Sequence, residues 1–247
     1  MHKAAAEIET PDGTADGFVF APEGEGPFPG VIFLTDLFGI RAANIGMAER
    51  VAGEGFAVLM PNVFYRTARP PLFDPAWPMR GPEMMKRMGE LFGSLTPDDV
   101  GRDQSAYVDF LARQAGVKDG PFGVVGYCFT GAHAVRAAAA RPDRIGAAAS
   151  FHGGRLYTDA PDSPHLLLPQ INARLYFGHA VNDQTITAEQ IAALEEALGA
   201  WGGTFKSETY EGALHGWTVP GRGEVYHHAQ AERAHETLIA FFKAALA

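Results

Sequence analysis

Nine residues constrain this chain more than any others: Gly123-Val124-Val125-Gly126-Tyr127-Cys128-Phe129-Thr130-Gly131. An apolar run ends at a glycine, presents the only cysteine, and continues into an alanine-rich segment that stops near Arg141-Pro142. This reads as strand, sharp turn and helix, the layout of a nucleophile elbow, in which a Ser or Cys on a strained turn projects from the carboxyl edge of a parallel sheet. Gly126 stands two residues before Cys128, where a side chain would crowd the turn. The second glycine of the usual G-x-nucleophile-x-G pattern is Thr130, with Gly131 one place late.

An elbow of this kind needs a parallel sheet around it, and the chain supplies the strands. Residues 4–10 and 16–21 read as an antiparallel opening hairpin turned by Pro11-Asp12-Gly13. Val31 to Thr35 is a continuous apolar run of the sort buried on both faces. Ile45, Ala48, Val51 and Ala52 follow at helical spacing, and Phe56 to Pro61 is a second buried strand. Between Asn62 and Pro97 the periodicity fades among five prolines (Pro70, Pro71, Pro75, Pro78, Pro82), with Met84, Met88, Leu91 and Phe92 at the spacing of a short helix. Long loops of this kind are more often lids or binding walls than spacers. A helix is expected from Asp98 to Gln114, strands at 147–151, 174–178 and 204–210, a helix capped by Thr187 and running through Leu198, and a last helix from about Val225 to Leu246. Repeated strand–helix alternation without an internal repeat or linker predicts an α/β fold over residues 1–247 as one domain, a mostly parallel sheet covered by helices on both faces and no large lid domain.

With 247 residues, 47% of them hydrophobic, a large core is possible, since a domain of this size buries roughly 70–75% of its unfolded surface. The net charge of -9 and the lack of a basic stripe exclude a nucleic-acid partner. The N-terminal residues lack the apolar core of a signal peptide and no run approaches the length of a membrane span, so no membrane partner is expected. A lone cysteine makes no internal disulfide, and a reducing, cytoplasmic compartment would keep its thiol free. No His/Cys/Asp cluster has ligand spacing for a metal.

Buried parallel strands leave their functional residues at the carboxyl edge. Four strand exits there carry Asp36, Cys128, Asp183 and His215, and the last three stand in the order nucleophile, acid, histidine. A thiol is only a few per cent ionised at neutrality, so an imidazole must take its proton and a carboxylate must orient that imidazole. The competing structural reading of each residue is plain: a free cysteine is usually a buried small hydrophobe, Asp183 can be a turn aspartate, and His215 is one of 9 histidines. Their joint placement at strand ends favours chemistry. His133, His152 and His179 read as pocket or packing residues.

With Gly126-Tyr127-Cys128-Phe129, Asp183 after its strand, and Tyr210-Glu211-Gly212-Ala213-Leu214-His215-Gly216, the chain resembles the dienelactone hydrolase (carboxymethylenebutenolidase) family of α/β-hydrolases from the opening hairpin to the last helix. The resemblance implies hydrolysis of a small-molecule lactone or carboxylic ester through an acyl-cysteine, with no cofactor and no metal. It implies Cys128 as nucleophile, His215 as general base and acid, Asp183 as its orienter, and the backbone N–H groups of Leu37 and Phe129 as an oxyanion hole. Family members hold the resting thiol with a glutamate at the position of Asp36, and clamp a substrate carboxylate with arginines. One clamp arginine falls where this chain reads Trp217-Thr218-Val219-Pro220, leaving Arg222, or Lys86 and Arg87, as substitutes. The alternative from a different class is a hydrolase-fold protein that binds a small molecule without chemistry.

Overall fold

The computed structural model describes residues 1–247 and contains one eight-stranded sheet in the order β1-β2-β4-β3-β5-β6-β7-β8, formed by β1 (His2–Thr10), β2 (Gly13–Ala21), β3 (Gly30–Leu34), β4 (Ala57–Pro61), β5 (Phe122–Tyr127), β6 (Ile145–Phe151), β7 (Arg174–Asn182) and β8 (Phe205–Leu214). The first two strands pair antiparallel through a two-residue turn, with Thr10 opposite Gly13, and β2 runs antiparallel to β4. All remaining pairs are parallel.

Every residue of β3, β4 and β5 is buried, as continuous apolar runs require of strands covered on both faces. Alternate side chains feed two cores. Val31, Phe33 and Val125 pack with α1 (Ala42–Gly53) and α6 (His228–Ala245) through Val51, Leu238 and Phe242. Ile32, Leu34 and Val124 face the opposite layer, α3 (Pro97–Ala112), α4 (Thr130–Ala140) and α5 (Ala188–Trp201), through Leu111, Ala134 and Leu198. No helix is long and apolar enough to cross a membrane.

Several boundaries differ from the expected ones for physical reasons. The expected last helix from Val225 is a short 3₁₀ turn at Gly223–Val225 followed by α6, which begins only where His227 accepts a hydrogen bond from the Gln230 N–H. Strand β7 continues past Gly178 to Asn182, and β8 past Tyr210 to Leu214, because the two go on pairing around an irregularity between Ala180 and Asn182. The aperiodic segment 62–97 contains α2 (Pro82–Gly93), which sits over the carboxyl edge with Met84 and Leu91 buried.

Candidate active site

Strand β5 delivers Cys128 with a φ of 62°, a left-handed conformation that non-glycine residues rarely adopt and that persists only when the surroundings over-determine it. Those surroundings can be named. The Cys128 N–H lies 3.1 Å from the Phe151 carbonyl and 3.0 Å from His152 Nδ1. At Gly126 an added Cβ would fall 2.0 Å from the Thr130 carbonyl oxygen, so the turn closes only on glycine. Thr130 is fully buried, and its hydroxyl accepts the Tyr127 N–H at 2.8 Å while facing the carbonyls of Tyr127, Thr35 and Leu34 at 2.9, 3.0 and 3.2 Å. The misplaced glycine also has a cause. A Cβ on Gly131 would lie 2.2 Å from Ser150 Oγ and 2.8 Å from Gly153 Cα, so the close backbone approach occurs against the end of β6, one residue later than usual.

Because β7 and β8 run to Asn182 and Leu214, Asp183 and His215 are the first residues beyond their strands. His215 Nδ1 lies 2.9 and 2.8 Å from the two Asp183 carboxylate oxygens, and its Nε2 lies 3.1 Å from Cys128 Sγ. The Asp183 carboxylate also accepts the Thr185 N–H at 2.8 Å and the Thr185 hydroxyl at 2.7 Å. Burial opposes its ionisation, but the hydrogen bonds from His215 and Thr185 outweigh that and hold it below the usual carboxylate range. For His215 burial opposes protonation, and the Asp183 hydrogen bond together with Cys128 overcomes it, pushing the imidazole up to about 10. The site therefore contains an oriented proton acceptor within hydrogen-bond reach of a thiol.

His152 has a larger part here than its reading as a packing residue suggests. It is completely buried directly after β6, and burial, with His215 and Arg222 adding to it, pushes its imidazole well below the ordinary value. Since Nδ1 accepts from Cys128, the ring proton sits on Nε2 and is donated to Thr218 Oγ1 at 2.8 Å. A neutral histidine thus ties the Cys128 turn to the loop after His215. The one signal in the sequence is that His152 is another strand exit on the same edge. His179 lies within β7, pushed down to about 4 by burial, and His133 on α4 is pushed down to about 3 for the same reason.

Asp36 does not meet the thiol. Its carboxylate, 4% exposed, is clamped by Arg41 through Nη1–Oδ1 at 2.5 Å and Nη2–Oδ2 at 2.8 Å, and it accepts the Phe38 N–H at 3.1 Å. An aspartate so short and so firmly paired turns toward α1, which leaves His215 as the only hydrogen-bond partner of Cys128 Sγ. What Asp36 does is fold the turn that carries Leu37. The N–H groups of Leu37 and of Phe129 donate to no protein acceptor.

Cys128 and His215 open onto a cavity of about 780 Å³. One wall is apolar, with Met84, Met85, Met88 and Phe92 of α2. Four arginines also line the cavity, Arg80, Arg136, Arg155 and Arg222, and none of the four is ion-paired. Arg222 lies over the Phe38 ring at 4.8 Å. Lys86 and Arg87 are absent from the lining; Arg87 is turned to the Leu72 carbonyl and Glu90. No three His, Cys, Asp or Glu side chains are grouped to hold a metal ion.

Comparison with known proteins agrees with this architecture. The Dienelactone hydrolase family matches residues 15–246. A carboxymethylenebutenolidase of Rhodococcus opacus is 27% identical over 217 residues, covering 87% of this chain and 80% of its own. The protein usf of Aquifex pyrophilus is 26% identical over 230 residues, covering 92% of each. The solved structure of a dienelactone hydrolase-like promiscuous phosphotriesterase from metagenomic libraries superposes with a TM-score of 0.79 at 21% identity, covering all of both chains, which is a likeness of fold.

Proposed function

This chain belongs to the dienelactone hydrolase family and is a hydrolase of that kind, and from that premise we propose that it cleaves a lactone or carboxylic ester through an acyl-cysteine formed on Cys128. The observation that carries the reading is His215 bridging the Asp183 carboxylate at 2.8 Å and Cys128 Sγ at 3.1 Å. His215 Nε2 is placed to take the thiol proton as sulfur attacks, and the N-terminus of α4 next to Cys128 favours negative charge there.

Sulfur attacks the ester carbonyl, and the carbonyl π electrons move to oxygen, which the free N–H groups of Leu37 and Phe129 stabilise. Collapse of the tetrahedral intermediate re-forms the carbonyl and breaks the C–O bond, and His215 Nε2–H protonates the departing oxygen. In a lactone that oxygen stays tethered to the acyl group. Neutral His215 then takes a proton from water, whose oxygen attacks the thioester, and the thiolate leaves with His215 protonated again. Asp183 fixes the tautomer and orientation of His215 throughout.

The cavity supports a substrate class as well. Four arginines without ion pairs in a cavity also lined by methionines suit an ester or lactone that carries a negatively charged group and an apolar or aromatic body. Alkylation by iodoacetamide between pH 5 and 9 tests the reading. The wild-type thiol is expected to react readily at pH 6 and to lose that reactivity in His215→Ala, whereas an inert Cys128 would favour a binding protein without chemistry.

A further inference from the structure

A second cavity, about 260 Å³, lies behind the elbow on the α1/α6 face of the sheet. Its lining is mostly apolar, with Met47 and Val51 of α1, Phe151 of β6 and Ala234 of α6. One of its walls is Tyr127, the residue before the nucleophile, and another is Thr218, the acceptor of the His152 hydrogen bond. Tyr127 is 4% exposed, and its hydroxyl has no protein partner although it borders open space. A ligand oxygen that pairs with this hydroxyl contributes about 0.5–1.5 kcal/mol net.

The floor is kept open by Gly46, in the middle of α1. A Cβ there would meet nothing within 4 Å, so a longer side chain at this position would project into the cavity. Charge narrows the ligand further. Arg50, at the polar end, is already neutralised by a two-point pairing with Glu232 at 2.8 and 2.7 Å. Burial pushes His235, also in the lining, below its ordinary value, so it presents a neutral ring. No unpaired charge awaits an ion. For size, a cavity of about 150 Å³ accepts benzene, so this one accommodates a single ring with a substituent.

We propose that this cavity is a second ligand site, separate from the catalytic cavity, for a small neutral molecule with one aromatic ring and a hydrogen-bonding oxygen, a phenol or aromatic alcohol, anchored on the Tyr127 hydroxyl. Isothermal titration with 4-methylphenol and with toluene tests it, on protein before and after alkylation of Cys128 with iodoacetamide, which perturbs the catalytic cavity alone. The expected result is one-to-one binding of both, with 4-methylphenol about fivefold tighter for its one hydrogen bond. In Tyr127→Phe that preference should vanish while toluene still binds. Gly46→Leu should weaken both ligands at least tenfold while unmodified Gly46→Leu protein hydrolyses esters at the wild-type rate; Gly46→Ala, with one methyl in the cavity, should fall between. Absence of saturable binding at millimolar ligand, loss of binding on Cys128 alkylation, or indifference to Gly46→Leu would each overturn the proposal.

Discussion

Cys128 sits in a left-handed backbone conformation that its neighbours impose, and Thr130 is one of them that can be tested alone. Thr130→Val removes the hydroxyl that accepts the Tyr127 N–H and leaves that donor buried without a partner. Urea unfolding should show a loss of about 1–3 kcal/mol, with Thr130→Ser close to wild type. Asp36 distinguishes two accounts of the resting site. Because its carboxylate is held by Arg41 and does not reach the thiol, Asp36→Asn should leave the iodoacetamide rate of Cys128 within about twofold, while kcat falls as the Leu37 turn loosens. A thiol that alkylates much faster in that variant would mean that Asp36 guards the sulfur after all. The His215–Asp183 pair makes stability depend on pH with a definite sign. His215 is raised from an ordinary ~6.5 to about 10 in the folded state, so its contribution is complete below that ordinary value and is lost as the pH climbs toward the folded one. Asp183 is lowered, so its contribution exists above the ordinary carboxylate range and disappears as the pH falls through the depressed value. The stability advantage of wild type over His215→Ala in chemical denaturation should therefore shrink steadily between pH 7 and 10.

At the scale of elements, much of this site is legible in the sequence because parallel strands announce themselves as unbroken apolar runs, and whatever follows a run stands at the sheet's edge. Val31 to Leu34, Gly123 to Tyr127 and Ala147 to Phe151 all behave in this way, and they locate Asp36, Cys128 and His152 on one rim. Contacts made across the rim are less visible. That Asp36 pairs with Arg41 depends on how the chain turns into α1. The bond between His152 and Thr218 joins residues 66 apart in sequence, and no local pattern encodes it. The arginine lining is hidden for the same reason, since Arg80, Arg136, Arg155 and Arg222 come from four separate segments. Helix caps, by contrast, are local. Thr187 accepts the Gln190 N–H, and the Gln190 side chain reaches back to the Thr187 N–H, fixing the start of α5 just after the loop that carries Asp183. Thr187→Ala should cost about 1 kcal/mol in thermal or urea unfolding and change kcat by less than threefold, since Asp183 keeps its own bonds to Thr185.

Across the whole molecule the charge distribution opposes the net charge. The chain carries -9, yet the cavity at Cys128 presents four arginines without ion pairs against two carboxylates, Asp36, held by Arg41, and Asp162, near Arg136. For the anionic substrate proposed above, repulsion at long range and attraction at short range would place selectivity in the cavity itself. An aryl ester bearing a carboxylate should show kcat/KM at least tenfold above its neutral isostere, and Arg136→Gln or Arg222→Gln should erode that ratio through KM for the charged ester alone. The proposed mechanism requires Cys128 to form a covalent acyl intermediate. Intact-protein mass spectrometry of enzyme quenched in acid within milliseconds of mixing with an activated ester, followed by peptide mapping, tests it most directly. One acyl group per chain is expected on the peptide containing Cys128, released by hydroxylamine and absent in Cys128→Ala; steady turnover with no adduct, or an adduct on any other residue, would overturn the acyl-cysteine mechanism.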